Sequence, residues 1–138
     1  MEQKFYEELL ENLFDGVYYV DTQKRITFWN KSAERITGYV KDDVIGRSCS
    51  DNILRHINEN GDELCIQGCP VGRTLEDGKI SDADVYLHHR NGHRVPISVR
   101  VSPVRDKKGK IIGAVEIFSD NSKRIDILKE MESLKKAG

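Results

Sequence analysis

Residues 14–39 decide the fold of this chain and read Phe14-Asp-Gly-Val-Tyr-Tyr-Val-Asp-Thr-Gln-Lys-Arg-Ile-Thr-Phe-Trp-Asn-Lys-Ser-Ala-Glu-Arg-Ile-Thr-Gly-Tyr39. Two runs rich in β-branched and aromatic residues, 17–20 and 25–29, flank a polar turn, as in a β-hairpin. Asn30 follows the second run and can cap a helix, which Gly38 can end. The stretch therefore predicts a hairpin that leads directly into a small helix.

Three further strands are predicted near the end of the chain. Residues 83–89 and 95–101 alternate apolar and polar side chains, and Asn91-Gly92 between them is a strong hairpin signal. A turn over residues 106–109 leads into the last strand, 111–118.

Short helices are predicted over residues 41–45, 50–56 and 70–77, the last of which begins at Pro70. They fall between the second and third strands. The economical arrangement is an α+β fold, with one five-stranded antiparallel sheet and helices on one face.

Each end of the chain carries a predicted flanking helix. Apolar residues recur at spacings of three and four in residues 3–13, and a narrow apolar stripe runs along the charged segment 119–137. We expect these helices to pair in a homodimer. The residues predicted to form its contacts are Phe5, Leu9, Leu13, Ile127, Leu128, Met131 and Leu134.

Length and composition indicate one domain. The chain has 138 residues and a net charge of −1, which gives no argument for nucleic acid binding. No apolar run approaches the length of a membrane span, so no direct membrane insertion is expected from this segment. An odd number of cysteines argues against a secreted disulfide framework, and a cytoplasmic location is expected.

Several short motifs, taken in order, resemble the PAS domain, the sensory fold of bacterial and archaeal signalling proteins. They include Asp15-Gly16, Asn30-x-x-Ala-Glu, Ile36-Thr-Gly-Tyr and Val44-Ile-Gly, and a basic-x-x-Gly pattern in the late strands. The resemblance implies a flanking helix over residues 1–14, a sensor domain over 15–119 and a signalling helix over 120–138. Asp120 would then mark the junction through which the signal leaves the sheet.

The resemblance implies a sensor that detects a small molecule or a redox signal. It would regulate a C-terminal output domain of histidine kinase or diguanylate cyclase type. A ligand-free module for dimerisation and protein interaction is the alternative. A flavin photosensor and an independent enzyme are disfavoured, and no catalytic residue is identified because the sequence has no nucleophile elbow or phosphate-binding glycine loop.

A ligand pocket is predicted between the inserted helices and the inner face of the sheet, where a fold of this kind would hold a small molecule. The expected lining is apolar and comes from two helices and two strands. Its residues are Ile53, Leu54, Ile57, Val71, Leu75, Val85, Leu87, Val95, Ile97 and Val99.

The cysteines leave three alternatives open. Cys49, Cys65 and Cys69 can be buried small hydrophobes, a redox-active set, or ligands of a metal or iron–sulfur site together with His56. The residue types suit a metal, whereas the spacing contains no C-x-x-C pair. Cys69 precedes a predicted helix start, a position that favours its thiolate.

Haem and flavin are disfavoured as cofactors, and the identity of any cofactor stays open. Residues 46–49 resemble the start of the flavin-bonding motif of LOV domains, but the match breaks after Cys49, and Phe118 stands where that family has a flavin-contacting glutamine. Residues 70–77 contain no histidine for a haem iron. The remaining histidines, His88, His89 and His93, are expected on an exposed hairpin.

Overall fold

Five strands pair in one antiparallel sheet in the computed structural model, which describes residues 2–48, 57, 58, 60 and 70–137. Their spatial order is β2-β1-β5-β4-β3, so the last strand lies at the centre, between the first and the fourth. The predicted five-stranded sheet is confirmed. The strands are β1 (Gly16–Asp21), β2 (Ile26–Trp29), β3 (Ser81–His88), β4 (Arg94–Arg105) and β5 (Ile111–Asp120).

Five helices surround the sheet in the described ranges, and none of these is long and apolar enough to cross a membrane. The helix predicted over residues 50–56 lies outside the described residues. The helices are α1 (Glu2–Glu11), α2 (Lys31–Thr37), α3 (Lys41–Val44), α4 (Pro70–Asp77) and α5 (Ser122–Ala137).

The core lies on one face of the sheet, which we call the inner face. The alternation predicted for β4 is observed, because its odd-numbered residues from Val95 to Val101 are buried while the residues between them are partly or fully exposed. Val71 of α4 and Ala33 of α2 are buried in the same cluster. Burial of each such valine side chain contributes about 1.5–3 kcal/mol.

The three tight turns of the sheet share one geometry. In each, the first residue accepts a hydrogen bond through its side chain from the backbone N–H two positions later, over 2.8–3.0 Å. The fourth residue adopts a positive φ. The Asn91-Gly92 pair therefore lies in a three-residue loop, which follows the first residue of the turn. The first and fourth residues are Asp21 and Lys24, His89 and Gly92, and Asp106 and Gly109.

The sheet has two different ends because its strands are antiparallel. One end carries the β1–β2 turn, the β4–β5 turn and the start of β3, and we call it the turn end. The links from α1 into β1 and from β5 into α5 both lie at the opposite end, which we call the helix end.

Asn30 joins four parts of the helix end through its fully buried side chain. Its Oδ1 accepts hydrogen bonds from the backbone N–H of Ala33, at 2.8 Å, and of Val17, at 2.9 Å. Its Nδ2 donates to the carbonyl oxygens of Leu10, at 2.8 Å, and Asp15, at 3.1 Å. The predicted helix cap is confirmed, and the same amide also ties α1 to β1.

Replacing Asn30 by Ala is expected to lower the free energy of unfolding by about 2–4 kcal/mol, because it removes a helix cap and leaves buried backbone groups without partners. Urea unfolding followed by circular dichroism measures this loss. The matched control is Asn12→Ala, since the exposed Asn12 side chain bonds only within its own helix end, to the Glu8 carbonyl. A loss at Asn30 no larger than that at Asn12 would contradict the linking role.

Candidate functional site

Apart from Ile57, the predicted pocket residues that the structure describes belong to the core cluster of the inner face or pack against it. Register places Val85 opposite Ile97, and Leu87 opposite Val95. Val71 is buried and Leu75 packs against the same cluster from α4. Ile53 and Leu54 lie outside the described residues. The others are Ile57, Val71, Leu75, Val85, Leu87, Val95, Ile97 and Val99, and all except the half-buried Leu75 are buried.

Ile57 reaches the sheet through its backbone. Its N–H donates to the carbonyl of Tyr86, and the N–H of Tyr86 donates back to Ile57, each over 2.9 Å. Tyr86 lies opposite Pro96 in the β3–β4 register. Because both backbone groups of Tyr86 face Ile57, the pair with Pro96 needs no donor from the proline. This explains how a proline fits within β4.

Two polar side chains on the inner face were not predicted as site residues. Tyr18 and Glu116 are each only 1% exposed, and they lie opposite each other in the β1–β5 register. The Tyr18 ring packs near Trp29, at 5.6 Å between ring centroids, and Phe118, at 6.1 Å. The inner face therefore combines an apolar wall with a phenol and a carboxyl group. Glu116 shares its strand parity with Ala114 and Phe118, which are buried on the same face.

The candidate redox or metal residues, Cys49, Cys65, Cys69 and His56, all lie outside the described residues. Their role stays a prediction. Among the residues that the structure does describe, no group of three or more His, Cys, Asp or Glu side chains could hold a metal ion.

The histidines of the β3–β4 turn form a contact between the sheet and α2. The His89 and His93 rings stack with centroids 4.2 Å apart, and His89 Nδ1 accepts from the Asn91 N–H at 3.0 Å. Gly38, the left-handed residue that ends α2, lies against the His89 ring so closely that a Cβ there would clash.

The same turn is held by its neighbour in sequence. The Arg90 N–H donates to the Thr37 carbonyl at 2.9 Å, and its guanidinium lies 3.4 Å from the Asp43 carboxylate. Burial chiefly, followed by the nearby His93 and His88, lowers the pKa of His89 below its usual value.

The junction between β5 and α5 contains a chain of hydrogen bonds. Asp120 Oδ1 accepts from the Ser122 N–H, two positions later, at 2.8 Å, as in an Asx turn just before the helix. Asn121 Nδ2 donates to Ser98 Oγ at 2.6 Å, and Ser98 Oγ donates to Asp84 Oδ1 at 2.8 Å. The start of α5 is thereby connected across β4 to β3. Of these residues, only Asp120 was predicted.

A cleft of about 220 Å³ lies between α5 and the outer face of β3 and β4. It has both charged and apolar walls. Its lining includes Asp84, Tyr86, Pro96, Asn121, Arg124, Ile125 and Leu128.

The predicted dimer residues are all exposed, with exposed fractions between 41% and 67%. The end of α1 is nevertheless anchored, because Ser32 Oγ donates to the Leu13 carbonyl at 2.6 Å and Arg35 donates to the Phe14 carbonyl at 2.7 Å. The segment that follows α1 is thus fixed against α2. Dimerisation itself stays a prediction.

Comparison with known proteins gives the family of this fold. A family model described as the PAS fold matches residues 4–120. The chain therefore belongs to the PAS family, whose domains are sensory modules.

The chain is 31% identical over 126 residues to the signal transduction histidine-protein kinase AtoS of Escherichia coli (strain K12), covering 89% of this chain and 19% of AtoS. It is 22% identical over 126 residues to the probable diguanylate cyclase DgcE of the same strain, covering 88% of this chain and 11% of DgcE. The crystal structure of a PAS domain from Colwellia psychrerythraea superposes with a TM-score of 0.73 at 26% identity, covering 89% of this chain and 99% of that domain. The chain thus spans only a small part of the length of AtoS and of DgcE.

The lowered pKa of His89 predicts a pH dependence of stability. Below about pH 6.5 the unfolded chain takes up a proton at this imidazole more readily than the folded chain does. The free energy of unfolding should therefore fall as the pH falls through this region, and this contribution should be constant above it. Protonation at Nδ1 also removes the acceptor for the Asn91 N–H.

Urea unfolding between about pH 7.5 and about pH 5.5 tests this expectation. His89→Asn is the informative variant, because Asn can accept the same turn hydrogen bond and does not titrate. The fall in stability with pH should be smaller in the variant, although His93, His88, Arg90 and Asp43 remain around the site. Equal pH slopes in the two proteins would show that His89 is not the titrating group.

Proposed function

We propose that this chain is the sensory module of a multidomain signalling protein, and that it regulates a histidine kinase or diguanylate cyclase output domain. The match to AtoS carries the proposal, because it covers 89% of this chain but only 19% of that kinase. A module of this kind has no chemistry of its own to perform. The signal that it detects is a small molecule or a redox change.

The side chains of the inner face support the proposal of a small-molecule ligand. Its wall is apolar, while Tyr18 and Glu116 bring a hydroxyl and a carboxyl group into the same buried layer. Binding sites for small molecules combine such an apolar lining with few polar groups that fix orientation. A ligand that presents a hydrogen-bond donor to Glu116 would match this lining.

The proposal is tested on protein purified without oxygen, by native mass spectrometry, metal analysis and a visible spectrum. A bound molecule that is lost in Glu116→Gln, while the circular dichroism spectrum is retained, is the expected result for a ligand at the inner face. Protein without ligand, colour or metal, and without a response to oxidant, would instead favour the ligand-free interaction module. The exposed apolar faces of α1 and α5 are the observation that supports this second candidate.

The redox branch depends on Cys49, Cys65 and Cys69, with His56 as a further candidate metal ligand. We expect Cys69 to react fastest with a thiol reagent, because a helix start lowers the pKa of a thiol. Cys65 and Cys69 should form a disulfide on mild oxidation or be bridged by a metal. Mass spectrometry of the oxidised protein and the metal content of anaerobic protein separate these outcomes from three slowly reacting, reduced cysteines.

We also expect the chain to form a homodimer through the apolar faces of α1 and α5. Leu9→Glu with Leu13→Glu should convert a homodimer into a monomer, because each carboxylate would be buried in the apolar interface. Light scattering at tens of micromolar measures the mass. Thr22→Glu with Gln23→Glu, on the distant β1–β2 turn, adds the same charge and should leave the dimer intact. A monomeric parent chain would rule out this interface.

Signal transfer is expected to pass through the start of α5. In the intact parent protein, Asn121→Ala should uncouple sensing from output, because it cuts the connection through Ser98 to Asp84. Asp120→Ala removes the bond to the Ser122 N–H and should have the same effect. The output activity with and without signal is the measurement, and Lys123→Ala on the exposed side of α5 is the control. Normal regulation in both junction variants would exclude this route.

A further inference from the structure

The turn end of the sheet carries a concentrated positive charge that the net charge of the chain conceals. Three segments meet there, residues 21–25, 77–79 and 105–110. They hold seven basic residues and three carboxylates, a balance of +4 in a chain of net charge −1. We call this the turn-end surface. Its basic residues are Lys24, Arg25, Lys79, Arg105, Lys107, Lys108 and Lys110.

The third segment is joined to the second by Arg105. Its guanidinium donates to the Gly109 carbonyl at 2.8 Å and to the Gly78 carbonyl at 3.3 Å. The β4–β5 turn and the residues before β3 are therefore held side by side. The β1–β2 turn adjoins them because Asp21 pairs with Gly113 across β1 and β5.

The three carboxylates of this surface accept hydrogen bonds from backbone N–H groups. Asp21 Oδ1 accepts from two backbone N–H groups of its turn, and Asp106 Oδ1 does the same in the β4–β5 turn. Asp77 Oδ1 accepts from the Lys79 N–H at 2.8 Å. The ion pairs between described residues, Arg90–Asp43 and Arg100–Asp82, lie outside this surface. Lys79, Lys107, Lys108 and Lys110 are exposed, and Lys24 is partly exposed.

Exposed aliphatic side chains border the same surface. Ile80 is 58% exposed, Ile112 42% and Ile45 41%. Ile80 follows Lys79, Ile112 follows the β4–β5 turn, and the residue after Ile45 donates its N–H to Ile26 at the start of β2. Exposed lysines among exposed isoleucines suit the interface of an anionic bilayer, where charge attraction and shallow apolar burial add together.

We propose that the turn-end surface binds peripherally to an anionic lipid bilayer. The segments contain no aromatic residue on which a nucleic acid base could stack, and the isoleucines would gain nothing from a phosphate backbone. The helix end points away from such a bilayer, so α1 and α5 stay accessible for assembly and for the output domain. This contact requires no membrane-spanning segment.

Vesicle sedimentation with the 138-residue chain tests the proposal. The chain should sediment with vesicles rich in phosphatidylglycerol, remain in solution with phosphatidylcholine alone, and be released by about 0.5 M salt. Neutralising three lysines in Lys107→Gln, Lys108→Gln and Lys110→Gln should weaken binding about 100-fold, since each lysine near an anionic surface contributes about fivefold. Ile80→Ser with Ile112→Ser should weaken binding while leaving its salt dependence.

The matched control neutralises Lys31, Lys123 and Lys129, which are exposed on α2 and α5 and give the same net charge. It should bind as the parent chain does. Equal losses in the two triple variants would overturn the proposal, because the attraction would then come from charge without a defined surface. Binding to duplex DNA or to inorganic polyphosphate without binding to vesicles would overturn it as well.

Discussion

The buried amide of Asn30 is the interaction on which the arrangement of this domain depends. It supplies two acceptor and two donor contacts to four separate backbone groups. A carboxylate in its place would lack the donors, and an apolar residue would lack all four contacts. Because the groups come from α1, β1, α2 and the link at Asp15, one side chain fixes the direction in which the first helix leaves the sheet.

The order of the strands explains why the contacts of Asn30 matter for signalling. β1, where α1 arrives, and β5, where α5 departs, are neighbours at the centre of the sheet. Tyr18 and Glu116 face each other across those same two strands on the inner face. A ligand there would contact the strands that carry both flanking helices. It could shift their arrangement only through a difference in its affinity for two states.

Local signals in the sequence were sufficient for most of the fold. The cap and stop of α2 and the alternation of β4 were predicted because each rests on residues close in the chain. Glu116 was missed because both faces of β5 are apolar: Val115 and Ile117 lie between Ala114 and Phe118, so the alternation did not indicate which face is buried. Lys24 adopts a left-handed conformation that its residue type does not predict. The cysteine site stays a prediction, since its residues lie outside the described ranges.

The charge asymmetry of the sheet follows from how its turns are built. In two of these turns the residue before the three-residue loop, Asp21 or Asp106, accepts hydrogen bonds from the turn backbone through its side-chain oxygen. The residues that directly follow Asp21 and Asp106 do not accept these bonds. In the β4–β5 turn they are lysines exposed to solvent. One carboxylate oxygen of Asp21 and of Asp106 is thus held against the backbone, while the lysines of the β4–β5 turn extend into solvent. A net charge summed over the chain hides this separation, which becomes visible only when topology brings the two turns to one end of the sheet.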